Sequence, residues 1–261
     1  GFNPDKIFNI KNNKIIEDNF IKKKIIKKDI LIYLDNLFKK FKVKSSKELP
    51  RMSSMLVGYF SYDVIRLIEK IPNKCKEDID IPDIKLMRPK NLVIYDNVKK
   101  KVFYIENIYS EQKIHDYEME YNKINKKLNE LHHFGNIPLP YNFHKSNKKI
   151  KIKSNISKSK FKKNVQKAKT YIKKGDIFQV VLSQRFKANI DKPPLEIYNK
   201  LREINPSPFM FYFNYDNFQV LGSSPEILVR LVNGEVTIRP IAGTRPRGKN
   251  IKQDRKLTNE L

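Results

Sequence analysis

Apolar positions along the chain follow two repeats, and the changes between them mark its elements. Over Asp29–Phe41, residues Ile30, Leu34, Leu37, Phe38 and Phe41 fall on one helical stripe. Met55–Tyr62 reads as a buried strand, with a short helix after Asp63. Asn91–Tyr95 and Val102–Ile108 flank a polar turn at Asp96–Lys100, which predicts a hairpin. Over Glu111–His133, residues Ile114, Tyr117, Tyr121, Ile124, Leu128 and Leu131 recur at alternating steps of three and four. That spacing predicts an amphipathic helix whose stripe serves the core.

The second half repeats the scheme. Ser157 or Ser159 caps a helix that buries Phe161, Val165, Ala168 and Ile172 and ends at Gly175. Asp176–Phe186 has a period-two reading and predicts a long strand. Phe178, Val180, Leu182, Gln184 and Phe186 share one face, while Ile177, Gln179, Val181, Ser183 and Arg185 form a more polar, ligand-facing one. Pro194 opens a helix over Leu195–Ile204. A meander runs through Phe209–Tyr215, Phe218–Ser223, Ile227–Val232 and Glu235–Arg239, with turns at Asp216-Asn217 and Asn233-Gly234. Strands in runs flanked by helices predict an α+β fold with large antiparallel sheets. The stretch 134–157, rich in Gly, Pro, Asn and Lys, interrupts the pattern. It divides the chain into a first domain, 1–135, a linker, 136–156, and a second domain, 157–261.

Composition narrows the class. The chain has 261 residues, enough for one or two cores. Its longest apolar runs, such as Met55–Phe60, are far short of the ~18 residues of a membrane span. No signal-peptide pattern is visible, and the single cysteine, Cys75, excludes an intrachain disulfide and fits a reducing cytoplasm. The net charge is +26, and lysine supplies 44 of the 54 basic residues, beside abundant Ile and Asn. This reads as a lysine-rich background, so neither a nucleic-acid nor a membrane partner is expected. The densest tract, Lys145–Lys153, falls in the linker. Arginine behaves differently. Seven of ten lie between Arg185 and Arg255, where their planar forks suit carboxylates.

Arg239–Gly248 (RPIAGTRPRG) is the densest candidate for chemistry. Gly243 permits close backbone approach, Thr244 adds a hydroxyl and three arginines supply positive field, a combination suited to a small carboxylate. Gly243–Asn250 also fits the spacing of a phosphate-binding loop. However, Asn250 stands where a magnesium-binding Ser or Thr is needed, and Pro246 removes a backbone donor. In Ser223–Glu226 (SSPE), Pro225 bends the chain and presents Glu226 toward a cleft. The four histidines lie in the first half without metal-ligand spacing.

Asp176–Phe186 (DIFQVVLSQRF), Asn205–Phe213 (NPSPFMFYF), Leu221–Glu226 (LGSSPE) and Ile238–Gly248 (IRPIAGTRPRG) occur in that order. With Gly58–Leu67 (GYFSYDVIRL), Pro82–Met87, Leu92–Asn97 and Asp254–Leu261, the set resembles the anthranilate synthase component I family of chorismate-utilising enzymes. The resemblance implies attack of ammonia at C2 of chorismate, loss of the C4 hydroxyl and elimination of pyruvate. It implies a glutamine amidotransferase partner subunit, magnesium on the ring carboxylate and feedback inhibition by L-tryptophan. By motif, Gly243 and Thr244 would bind chorismate. Glu226 would protonate the departing hydroxyl from a semi-buried setting. Pro208, Phe209 and Met210 would line the tryptophan site, with Phe209 where the family usually has Tyr.

Two positions speak to the nucleophile. Relatives that make aminodeoxychorismate carry a lysine where this chain has Ala242, and relatives that add water carry one where it has Gln179. Neither residue can act as that nucleophile or base. Aminodeoxychorismate synthase component I and a non-catalytic tryptophan-binding protein remain the alternatives. The family's magnesium glutamates lie past the equivalent of Leu261. The catalytic domain is therefore expected to be incomplete here, and the chain inactive alone.

Overall fold

The structure, a computed structural model, describes all residues except 42–47, 76, 110–116, 135–149, 241–244 and 261, and the side chains of 117 and 131–134 are likewise outside it. It divides into two compact units, Gly1–Pro138 and Leu139–Leu261. Helices and antiparallel strands make up both units, an α+β fold.

The first unit is built on six antiparallel strands: β1 (Phe2–Lys11), β2 (Lys14–Asp18), β3 (Lys23–Ile26), β4 (Val57–Phe60), β5 (Ile84–Asp96) and β6 (Lys101–Glu106). The sheet order is β3-β2-β1-β5-β4, and β6 also pairs with β5. β5 can serve three neighbours because it is 13 residues long. Its first part lies between β1 and β4, and its last part forms the hairpin with β6. The sequence shows that hairpin but not the full reach of β5, whose alternation is broken by Lys85, Arg88 and Lys90. The opening strands, which carry no reading from the sequence, turn through Asn12 and Asn13, both at positive φ. Asparagine tolerates that conformation well.

Cross-strand pairs Phe8↔Leu86 and Ile10↔Ile84 put four apolar side chains on one face. Helix α1 (Ile30–Lys40) covers that face with Ile30, Tyr33 and Leu34. Asp29 caps it by accepting from the Ile32 N–H at 3.0 Å. The predicted stripe holds at Ile30 and Leu34, but Phe38 is exposed and Tyr33 takes a core place instead. Tyr33 can do so because its hydroxyl reaches Glu17 at 2.6 Å. A 3₁₀ turn over Tyr62–Leu67 supplies Val64 and Leu67 to the same core. Helix α2 (Tyr117–Phe134) is joined to the sheet by Lys127, which donates to the buried carboxylate of Glu106 at 2.9 Å.

The second unit has α3 (Lys158–Lys174), α4 (Pro194–Ile204), α5 (Ile251–Asn259) and three separate two-stranded ribbons. These are β7 (Ile152–Ser154) with β8 (Phe186–Ala188), β9 (Phe209–Asn214) with β10 (Gln219–Ser224), and β11 (Arg230–Val232) with β12 (Glu235–Thr237). Ser157 caps α3, and Gly175 ends it at φ 78°, as predicted. The Asn233-Gly234 turn has both residues at positive φ. β7 lies inside the span read as linker.

The long strand predicted over Asp176–Phe186 does not form. Only Phe186 of that span is in a strand, because the three residues of β7 are its sole partner among the described residues. Phe178 and Val181 are correspondingly exposed, and Ile172 of the α3 stripe is exposed as well.

Buried side chains concentrate in the first unit, and in the second only Tyr215 is buried among the described residues. Isolated ribbons with little apolar cover are marginal in water. Hydrogen exchange is therefore expected to show strong protection in β1 and β5 and rapid exchange in β7–β8 and β11–β12. Equal protection of the two sets of amides would contradict this.

Candidate functional site

The second unit brings two of the candidate segments together. In the β9–β10 ribbon, Met210 pairs with Ser223 and Phe209 with Ser224. Pro208–Met210 and Glu226 therefore lie at the same end of one hairpin. The turn at the other end closes with Tyr215 N–H donating to the Phe218 carbonyl at 3.0 Å, and Asp216 takes positive φ.

Alternation along β9 sorts its side chains by face. Tyr212 lies on the face packed by α4, with its ring 5.7 Å from that of Tyr198. Phe211, Phe213 and Tyr215 form an aromatic row on the other face, with centroids 5.3 Å and 6.0 Å apart. Gly222 sits opposite Phe211, and a Cβ there would lie 2.8 Å from Phe211 Cε1. The glycine of the LGSSPE segment therefore makes room for that ring.

The end of α4 is tied to the same hairpin. Ser223 Oγ donates to the Asn205 carbonyl at 2.7 Å, across the C-cap of the helix. An open depression beside it is lined by Asn199, Arg202, Glu203, Pro206, Ser207, Pro208 and Met210. Pro208 and Met210 thus share a surface, while Phe209 projects from the opposite face of the ribbon. Arg202 was not singled out from the sequence. Its spacing of three from Asn199 along α4, which sets both on the face toward the Pro-Ser-Pro segment, is the signal that would have found it.

Glu226 lies two residues past β10. Ser224 Oγ donates to the Glu226 carbonyl at 3.2 Å and holds the bend at Pro225. The Glu226 side chain is exposed, so the semi-buried setting expected for a proton donor is not present around it. Gln179 is also exposed, within the segment that leaves the sheet. Near that segment's end, Gln184 Nε2 donates to Ser154 Oγ at 2.7 Å. The Asn155 N–H donates to the Arg185 carbonyl and the Arg185 N–H to Asn155 Oδ1, both at 3.0 Å. Ala242, Gly243 and Thr244 lie outside the described residues.

The resemblance of Gly243–Asn250 to a phosphate-binding loop ends at α5. Asn250 is the N-cap of that helix and accepts from the Gln253 N–H at 2.9 Å. Gln253 in turn accepts from the Lys249 N–H at 2.8 Å, and Asp254 from the Gly248 N–H at 2.7 Å. Arg247 pairs with the second oxygen of Asp254 at 2.9 Å. The backbone donors a phosphate would need at Gly248 and Lys249 are thus consumed by α5 itself, and Asn250 acts as a cap. Gly248 is required there, since a Cβ would fall 2.5 Å from Asp254 Cα. Among the described residues, no group of three or more His, Cys, Asp or Glu is arranged to hold a metal ion. None of the described helices is long and apolar enough to cross a membrane.

Similarity to known proteins extends over nearly the whole chain. The model of a family described as chorismate binding enzyme matches residues 2–261. Anthranilate synthase component 1 of Acetivibrio thermocellus is 38% identical over 260 residues, covering 96% of this chain and 52% of that protein. The Aquifex aeolicus protein of the same name is 40% identical over 236 residues, covering 90% of this chain and 47% of that protein. The crystal structure of anthranilate synthase component I from Streptococcus pneumoniae TIGR4 superposes with a TM-score of 0.76 at 31% identity, covering 91% of this chain and 52% of that one. The chain spans about half the length of the relatives it matches.

Proposed function

The chain belongs to the chorismate binding enzyme family, and from that premise we propose that its residues serve the component 1 reaction of anthranilate synthase. The observation that carries this reading is the 38% identity with a protein of that name over 260 residues. In the reaction, ammonia forms a bond to C2 of chorismate and the C4 hydroxyl leaves as water. Pyruvate is then eliminated and the ring becomes aromatic. Tryptophan biosynthesis is the pathway this reaction would feed, a lyase step in the cytoplasm.

Within that reading, Gly243 and Thr244 hold the substrate and Glu226 gives a proton to the departing hydroxyl. To serve in that role Glu226 needs to be covered when the substrate is bound, since it is exposed on the ribbon. Ala242 and Gln179 leave no lysine to attack the ring or to activate water, which favours ammonia as the nucleophile. A glutamine amidotransferase subunit would deliver the ammonia. Pro208 and Met210, with Arg202 beside them, offer an apolar surface and a cation suited to an amino acid such as tryptophan, while Phe209 lies on the other face of the ribbon and adds nothing to that surface. Magnesium would supply an electrostatic clamp on the substrate carboxylate. The described residues present no donor cluster that would hold it.

A chimera tests the reading. This chain replaces the aligned part of the Acetivibrio thermocellus relative, and products from chorismate, magnesium and ammonium are identified. Anthranilate is expected, and Glu226→Gln should lower its rate by roughly 10²- to 10⁴-fold. A folded chimera that makes an aminated or hydroxylated chorismate, or consumes none, would overturn the proposal.

A further inference from the structure

The lysine-rich background is not uniform. From Leu201 to Gly248 the chain has no lysine at all. Between residues 131 and 175 it has thirteen lysines and no aspartate, glutamate or arginine, which is half of the net charge of +26. A compositional drift toward lysine would also have to account for the missing carboxylates. Most of this charge is carried by one element, α3 (Lys158–Lys174), and by the strand before it.

At 100° per residue the lysines of α3 fall in two rows. Lys158, Lys162, Lys169 and Lys173 form one row. Lys160, Lys163, Lys167 and Lys174 form the other. Ser159, Gln166 and Thr170 run between them as a ridge of neutral hydrogen-bonding side chains. All eight lysines are exposed, and none forms an ion pair among the described residues. The apolar positions Phe161, Val165 and Ala168 are half-buried. That leaves little open apolar area on α3 for the deep insertion an interfacial helix requires.

We propose that this face of α3 binds the phosphate backbone of a nucleic-acid duplex without reading its sequence. The helix is about 25 Å long, a length over which a duplex presents roughly fifteen phosphates. Two lysine rows separated by a neutral ridge can reach the phosphates on either side of one groove. Lysine gives point charges instead of the bidentate forks that read guanine, so the contact is positional. Single-strand binding relies on successive stacking aromatics. Tyr171 is a lone ring at the outer edge of the second row, with Lys167 Nζ 5.7 Å from its centroid, so no such platform is built on this face. This reading is independent of the chorismate reaction.

Fluorescence anisotropy of the whole chain with a mixed-sequence DNA duplex, from about 50 to 200 mM KCl, tests it. Binding should weaken steeply with salt, with a log–log slope of about −6. Replacing Lys160, Lys163, Lys167 and Lys174 by Gln should reduce the magnitude of that slope by about 3 to 4. The same replacement at Lys22, Lys24, Lys70 and Lys74 removes equal charge from exposed positions of the first unit. That control should leave the slope nearly unchanged. Equal losses in the two variants would mean diffuse charge and overturn the proposal. So would tighter binding to a single strand or to phosphatidylserine vesicles than to the duplex. Circular dichroism of both variants checks that helix content is kept.

Discussion

Gly58→Ala is expected to destabilise the first unit by about 3 kcal/mol, at the upper end of the range for overpacked interiors. Gly58 sits in β4 opposite Leu86 of β5. A Cβ placed on it would press into the Lys85 carbonyl oxygen, and would lie 2.9 Å from the Lys85 carbonyl carbon and 3.0 Å from Leu86 Cα. These are backbone atoms of the central strand, so no rotamer change relieves them. The strand β5 is held on its other side by β1, through Phe8↔Leu86 and Ile10↔Ile84. β4 is the element that must move. Its displacement would loosen the Ser61 N–H bond to the Asp83 carbonyl, at 2.7 Å, and the Tyr59 hydroxyl bond to the Pro82 carbonyl, at 3.0 Å. Gly234→Ala is the matching control. Its φ is 84° but nothing lies within 4 Å of the added Cβ, so only the cost of a left-handed residue applies, about 1 kcal/mol. Urea unfolding followed by circular dichroism would separate the two, and a Gly58→Ala midpoint within error of the parent would refute the steric account.

Gly58 also shows what the sequence makes legible and what it does not. The motif GYFSYDVIRL reads as a strand and a short helix from its apolar run, and so it folds. Nothing local reveals that the glycine is required by a strand almost thirty residues later. The same limit explains the strand expected over Asp176–Phe186. Period two establishes a chain able to enter a sheet, but pairing needs a neighbour, and β7 offers three residues. Helices fared better because their caps are local: Asp29, Ser157 and Asn250 each accept an N–H of the first turn.

The candidate site divides in the same way. That NPSPFMFYF and LGSSPE lie side by side is a matter of register, Phe209↔Ser224 and Met210↔Ser223, which is set by the tight turn between them. That Pro208 and Met210 share a surface while Phe209 turns away comes from alternation, and was available in principle from the sequence. The exposure of Glu226 was not, because burial depends on what covers the ribbon. The end of the Gly243–Asn250 pattern shows the reverse case, where Gly248, Lys249 and Asn250 suggest a phosphate loop but serve to cap a helix.

Removing one partner of the Asp5–Arg88 pair should cost about 3–5 kcal/mol. Arg88 Nε donates to Asp5 Oδ1 at 2.8 Å and Nη2 donates to Oδ2, a two-pronged contact between β5 and β1. The side chains are 9% and 14% exposed, which makes this a buried pair and not a surface one. The Arg88 guanidinium also lies 3.8 Å from the centroid of the Tyr109 ring, whose hydroxyl donates to the Pro89 carbonyl at 2.9 Å. Asp5→Ala would leave a guanidinium in that enclosure with one charged partner gone, and the desolvation of the cation would no longer be offset. Arg88→Met alone would strand the carboxylate instead. Changing both together removes the two charges and keeps much of the apolar bulk of the arginine stem over Tyr109. The double variant should therefore be more stable than Asp5→Ala alone, although it has lost more interactions by count. Four urea titrations of the intact chain complete the cycle. A double variant that is weaker than either single one, by the sum of their losses, would mean that the two residues act independently and that the pair is not what joins β1 to β5 at this point.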